Sequence, residues 1–329
     1  DERMRNMHRI IGLDIGGTKC AVLTADSGEE IELLKKIRFD THTERGFEYA
    51  RRQLFDAVRA SIAASDRPVE AIGVSCGGPL NSRTGVIQSP PNLPGWDDVP
   101  LVRMLEEEFG VPAFLQNDAN ACALVEWKMG AGRGSENMVF LTMGTGMGAG
   151  IIAEGRLLRG RCDMAGEVGH VRLSADGPVG YGKAGSFEGF CSGGGIARLA
   201  CRMRRGWAER GEHPAWSETD EEMSTRALAG YAKDGDAYAR QVFEAAGEKL
   251  GCALALLADV LNPETIVIGS VYVRCEELLR EAMWRALRRE ALVQTVDGLQ
   301  VLPAQTGEQI GDLAAVMVAE YGLAKKRGL

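Results

Sequence analysis

The sequence predicts an α/β fold built from two related halves. Three observations carry that prediction. A strand, a glycine turn and a second strand follow one another at residues 9–25 and again at 138–153. Helical and strand patterns alternate along much of the remaining chain, as layered α/β domains require. The length, 329 residues, suffices for two domains with a core each, so a binding site is expected in the cleft between them.

The elements follow in order. Residues 9–14 (RIIGLD) are an apolar run and residues 20–25 a second one, ending in the turn residues Asp26, Ser27 and Gly28, which predicts a hairpin. A third strand is expected over 31–39. Phe47, Ala50, Leu54, Val58 and Ile62 recur at helical spacing, placing a helix over about 45–65, and residues 69–74 read as a buried strand. A segment rich in Pro, Gly and Asn fills 76–100. A short helix (101–109) and a strand (112–116) then lead to Asn117-Asp118, where the second half is taken to begin. That half should contain a helix over 118–129, strands over 138–143 and 148–153, helical patterns over 194–261, a strand over 265–268, a helix over 276–289 and a strand over 299–302. The expected lobes are 1–117, completed by a last helix within 308–329, and 118–307.

Composition narrows the function classes. Charged residues make up 26% and apolar ones 45%, the balance of a folded enzyme. Glycine alone departs from the norm, with 42 residues in 329 against a usual share of about 7%, and its clustering suggests backbone held close to a ligand. The net charge of −8 disfavours nucleic acid and anionic lipid, and the arginines near 198–205 and 285–289 read as solvated helix faces. No nucleic-acid or membrane partner is expected. Eight scattered cysteines without a Cys-x-x-Cys pair read as reduced thiols, and no apolar run reaches the ~18 residues of a membrane span, so a cytoplasmic location is expected.

In Asp14-Ile15-Gly16-Gly17-Thr18-Lys19 the glycines let backbone approach a phosphate, Thr18 and Lys19 add donors, and Asp14 can hold Mg2+ through water. Alone, this is equally an ordinary glycine hairpin. A second cluster, Thr142-Met143-Gly144-Thr145-Gly146-Met147-Gly148, repeats the same context, and two such turns could grip a polyphosphate from opposite sides. Asp118 opens a helix after a strand, where it reads either as a helix cap or as a carboxylate placed for chemistry.

The motifs DIGGTK, PPNLPGW, NDANA, TMGTGMG and GEVGH, in that order, resemble the ROK family of bacterial sugar kinases and sugar-responsive repressors over about residues 10–321. The resemblance implies an actin-like ATPase (ribonuclease H-like) fold, with two lobes around a central cleft that binds ATP and a sugar. It implies that Asp118 is the general base toward the sugar hydroxyl and that Asn117 bonds a neighbouring hydroxyl. Gly78, in the turn Gly77-Gly78-Pro79, and Asn92 match cleft-lining and sugar-contacting positions. Glu167, His170 and Glu188 match residues that bind ring hydroxyls, a type of site that rejects analogues lacking them. Without the resemblance, His170 reads as a buried histidine satisfied by a carbonyl. ATP and its phosphates fall to Asp14, Gly16, Gly17, Thr18, Lys19, Thr142, Gly144, Thr145, Gly146 and Gly269.

Two departures from the family pattern stand out. Many members carry Cys-x-Cys-Gly-x-x-Gly-Cys-x-Glu, completed as a zinc site by the preceding histidine, but here the three thiolates are Val179, Tyr181 and Ser186. Zinc needs about four soft or borderline ligands, so no structural zinc is expected, and packing of Tyr181 and Phe187 should fix the loop unless it is more mobile. Ser270 also stands where the family usually has the second of two glycines near adenosine.

The expected function is therefore ATP-dependent phosphorylation of a hexose or N-acetylhexosamine, with glucose as the default, in a homodimer; polyphosphate stays open as a donor. The alternative is a catalytically inactive sugar-binding or sugar-sensing protein of the same family. A repressor is not expected, because about nine residues precede the first strand, too few for a DNA-reading module.

Overall fold

The computed structural model describes residues 7–218 and 223–328. The chain divides into two compact units, one drawn from Asp1–Arg133, Leu157–Ala165 and Thr306–Leu329, the other from Gly134–Arg156 and Gly166–Gln305.

In the first unit, β1 (His8–Ile15), β2 (Lys19–Ser27), β3 (Ile31–Asp40), β4 (Ala71–Cys76) and β7 (Ala113–Asn117) form a sheet of order β3–β2–β1–β4–β7. The short strands β5 (Leu80–Asn81) and β6 (Val86–Ile87) make a separate hairpin. β1 is antiparallel to β2 but parallel to β4, which is in turn parallel to β7. The register sets Ile15 beside Cys76 and Cys76 beside Asn117. The residues that follow three parallel strands therefore emerge at one edge, the carboxyl edge where α/β sheets commonly bind ligands.

One face of this sheet is covered by α1 (Phe47–Ala63) and α2 (Leu101–Phe109), with Leu54, Val58, Leu101 and Leu105 fully buried. The other face carries the last helix, Ile310–Lys326, through buried Ala315, Val316 and Ala319. Two strand glycines permit its close approach: a Cβ on Gly73 would sit 2.0 Å from the Ala315 carbonyl oxygen, and one on Gly12 would sit 3.1 Å from the Ala315 Cβ.

Helix α3 (Asp118–Lys128) belongs to this unit, so the division falls after Arg133, whereas the sequence reading puts it between 117 and 118. A buried carboxylate explains the difference. Glu126, on the last turn of α3, accepts the Thr306 N–H at 2.9 Å, just ahead of the last helix, and the Ala131 N–H at 2.8 Å. These bonds tie α3 to the segment that returns from the far end of the chain.

The second unit repeats the opening layout. β8 (Met138–Met143) is antiparallel to β9 (Met147–Ala153) and parallel to β13 (Thr265–Ile268), which pairs in parallel with β14 (Gln300–Pro303). After β9 come the short strand β10 (Arg156–Leu158), the two-residue strands β11 (Val179–Gly180) and β12 (Lys183–Ala184), and α4 (Phe187–Cys191). Helices α5 (Gly193–Ala208), α6 (Thr225–Lys233), α7 (Ala237–Leu261), α8 (Val271–Glu290) and α9 (Val293–Val296) complete the unit. α7 and α8 pack closely because Gly251 lacks a side chain; a Cβ there would meet the Met283 carbonyl oxygen at 2.2 Å. α8 starts five residues before the expected position. Ser270, at φ 56° and ψ −110°, turns the chain directly into it, so the β-branched Val271 and Val273 fall in its first turn.

Candidate active site

In the first unit the carboxyl edge of the sheet gathers most of the predicted residues. Asp14 lies near the end of β1, beside Ala21 on β2 and Ser75 on β4. The turn after it is closed by the Gly16 N–H donating to the Lys19 carbonyl at 3.0 Å and is held from below by the buried Thr41 hydroxyl, which donates to the Gly16 carbonyl at 2.6 Å. Thr18 and Lys19 project into solvent.

Asn92 sits against two of the glycine turns. A Cβ on Gly17 would lie 2.4 Å from the Asn92 carbonyl oxygen, and one on Gly77 would lie 3.2 Å from the Asn92 side-chain oxygen. Gly17 is thus required by the approach of the Pro91-Asn92-Leu93 loop, a reason that local sequence does not reveal. Gly78 follows at the exposed tip of the turn after β4.

Asn117, rather than Asp118, caps α3, its side-chain oxygen accepting the Asn120 N–H at 2.7 Å. That leaves Asp118 as the first helical residue, exposed to solvent, with Oδ1 accepting the Ala119 N–H at 2.8 Å. Although solvent reaches the residue, the protein packed around its carboxylate partly desolvates it and raises its pKa above the ordinary carboxylate value, opposed by the Ala119 N–H. Asp14 is also raised, to about 6, first by burial and then by the charge of Asp312, with Asp118 adding to it and Lys36 and Arg38 opposing it. Asp312, on the first turn of the last helix, is held by Lys36 Nζ, which donates to its two oxygens at 2.7 and 2.6 Å. Sequence reasoning missed Asp312 and Lys36, because neither lies in a motif and they stand 276 positions apart.

In the second unit, the turn between β8 and β9 carries Thr142, Gly144, Thr145 and Gly146. The Gly144 N–H donates to the Gly146 carbonyl at 3.1 Å, and the Gly144 carbonyl accepts the Gly193 N–H of α5 at 2.8 Å. Gly269 follows β13, its N–H donating to the Leu141 carbonyl at 2.9 Å, and Ser270 comes next. Glu188, on α4, accepts the Met147 N–H at 3.1 Å through Oε2. One predicted sugar contact is therefore bonded to the strand that leaves the Gly144–Gly146 turn.

Glu167 and His170 flank a single 3-10 turn, and both are exposed, so His170 is not the buried, carbonyl-satisfied residue that local sequence alone suggests. The Phe187 N–H donates to the Val171 carbonyl at 2.8 Å, which brings that turn beside α4 and Glu188. The region of the missing thiolates is ordered by other means. Ser186 is buried and caps α4 by accepting the Gly189 N–H at 3.0 Å, Phe187 is buried, and the Gly185 carbonyl accepts the N–H groups of Leu173 and Ser174 at 2.8 and 3.2 Å. Tyr181 contributes no such packing, contrary to expectation: it is 73% exposed. Among the described residues no three His, Cys, Asp or Glu side chains are grouped to hold a metal.

Known proteins sharpen this picture. Residues 10–321 match the ROK family. The chain belongs to the ROK family. As a ROK protein it is 34% identical to a glucokinase from Halalkalibacterium halodurans, with 92% of each chain covered. Its fold matches the ROK hexokinase from Thermus thermophilus with a TM-score of 0.79 at 32% identity, over 96% of this chain and 99% of that one. The ROK family glucokinase from Streptomyces griseus, solved in complex with glucose and AMPPNP, matches with a TM-score of 0.72 at 29% identity, over 96% and 100% of the two chains. The expected actin-like class is thereby established. A xylose repressor from Caldicellulosiruptor bescii also matches this ROK chain, 27% identical over 90% of this chain and 74% of its own length.

Proposed function

We propose that this protein is an ATP-dependent hexose kinase with Asp118 as the general base. The carrying observation is the placement of Asp118: an exposed carboxylate on the first turn of α3, at the sheet edge that also bears the Asp14–Lys19 turn. In the reaction the sugar hydroxyl oxygen attacks the γ-phosphorus, the bond to the leaving ADP oxygen breaks, and the hydroxyl proton passes to an Asp118 oxygen. The Ala119 N–H steadies Oδ1, leaving Oδ2 to take the proton. Asn117 uses its oxygen as the helix cap, so its amide N–H group is the part that can donate to a neighbouring hydroxyl.

Glu167, His170 and Glu188 are assigned to ring hydroxyls, with Asn92 and the Gly78 turn. Gly16, Gly17, Thr18, Lys19, Thr142, Gly144, Thr145, Gly146 and Gly269 are assigned to the nucleotide. Asp14 suits Mg2+, a hard cation that prefers oxygen ligands; burial first and the Asp312 charge second hold its pKa up, and a cation would favour its charged form. Bound there, Mg2+ would neutralise phosphate charge. The use of ATP supports a cytoplasmic protein, and we assign it as a homodimer acting on glucose by default.

The test is turnover of a hexose panel by wild type and Asp118→Asn. The substitution should leave sugar affinity within a few-fold and lower kcat roughly 10²- to 10⁴-fold, since it deletes the base and keeps the shape. Unchanged turnover would reject the assignment. Sugar binding by wild type without any ADP release would favour the inactive sugar-binding alternative.

A further inference from the structure

Tyr181 and Gly182 form the two-residue loop of the β11–β12 hairpin, where Val179 pairs with Ala184 and Gly180 with Lys183. Both loop residues have positive φ, 45° and 74°. A two-residue hairpin loop with positive φ at both positions is the type I′ turn, which strongly prefers Asn-Gly; an L-residue with a bulky side chain is strained in its first position. The ring is 73% exposed, so core packing does not account for it. Neither backbone preference nor burial explains a tyrosine here, and strained backbone clusters at functional sites.

The ring's neighbour is informative. Its centroid lies 6.1 Å from that of His170, with the two planes at 80°. The hairpin is fastened to the His170 segment at two points: Lys183 Nζ donates to the His170 carbonyl at 2.8 Å, and Arg172 donates to the Ala184 carbonyl at 2.8 Å. Val171, next along the chain from His170, and Val179, on the hairpin, are also exposed. The result is a corner with one hydrogen-bonding plane and one apolar plane.

A pyranose has the same two aspects, an edge of hydroxyls and a face of C–H groups, and the electron-rich face of an aromatic ring attracts such C–H groups. We infer that Tyr181 is a specificity-determining sugar contact, packing on the C–H face of the hexose whose hydroxyls His170 binds. This rests on the sugar-binding reading of His170 proposed above. Packed on the face from which the axial carbon-4 hydroxyl of galactose projects, Tyr181 favours glucose, whose ring hydroxyls are equatorial.

The test measures equilibrium binding of D-glucose and D-galactose by calorimetry, alongside steady-state kinetics, for wild type, Tyr181→Asn, Tyr181→Phe and His170→Ala. Asparagine suits the type I′ turn, so Tyr181→Asn should fold with an unchanged or higher Tm. Its Kd and KM for glucose should rise roughly tenfold, the glucose preference over galactose should narrow, and the KM for ATP should stay within about twofold, in keeping with the size of single aromatic contacts. Tyr181→Phe, which keeps the ring, should recover most of the glucose affinity. If His170→Ala weakens glucose binding while Tyr181→Asn does not, the inference is overturned and the sugar-binding reading stands. If Tyr181→Asn alters only the oligomeric state, Tyr181 is an interface residue and the inference is equally overturned. Wild type that binds no hexose overturns both.

Discussion

The turn at Gly16–Lys19 and the turn at Gly144–Gly146 have the same place in two similar sheets, yet their electrostatic surroundings differ. Around the first stand carboxylates: Asp14, with Asp312 and Asp118 close enough to raise its pKa. Around the second stand helix starts and one carboxylate, Glu188, which accepts the Met147 N–H at 3.1 Å. Gly193 of α5 donates to the Gly144 carbonyl, and the Ser270 hydroxyl would lie 3.7 Å from a Cβ on Gly144, at the start of the 20-residue helix α8. Helix N-termini attract anions, whereas a carboxylate group attracts cations and accepts protons. The repeated motif thus carries a cluster of carboxylates at one turn, and helix N-termini with a single carboxylate at the other.

The largest expected effect would break this contrast at its acidic side. Because Asp14 titrates near pH 6, activity that needs its charged form should rise with pH through about 6 and fall about tenfold per unit below it. Stability moves the other way. A carboxyl whose folded pKa exceeds its unfolded value binds protons more tightly when folded, so this group's contribution is most favourable at low pH and is lost as pH rises through about 6. Asp312→Asn removes a neighbouring charge and releases Lys36, so the acid limb of the kcat/KM profile should move to lower pH. A limb that stays in place would separate Asp312 from the site.

A smaller effect is expected at Gly17. Gly17→Ala would place a Cβ 2.4 Å from a backbone oxygen of Asn92, forcing the two loops apart at a cost of about 1–3 kcal/mol in denaturant unfolding. The smallest sharpens the side of the helix starts. Ser270→Gly relieves the strained φ of 56° and should stabilise the protein by roughly 1 kcal/mol. If the KM for ATP also rises, the serine hydroxyl takes part in nucleotide binding.

Much of this arrangement was legible before any coordinates. The strands at 138–143 and 265–268 and the helix at 101–109 lie where apolar spacing places them, because each depends on neighbours a few positions away. The short β5–β6 and β11–β12 hairpins and α4 were not read, since two-residue strands and a five-residue helix are too brief to show a period. The early start of α8 was missed for a different reason: β-branched residues open it, and only the backbone at Ser270 directs them into a helix.

By itself, the sequence determined the two strand–turn–strand units and put Asp118 at the start of a helix, because turn chemistry and periodicity act over a few residues. Tertiary structure alone decided that Asn117 takes the cap, that Asn92 demands a glycine at 17, that Glu188 holds the Met147 N–H, and that Asp312 meets Lys36 beside Asp14. Sheet register and the return of the last helix create these contacts, joining residues whose separation along the chain leaves no periodic signal.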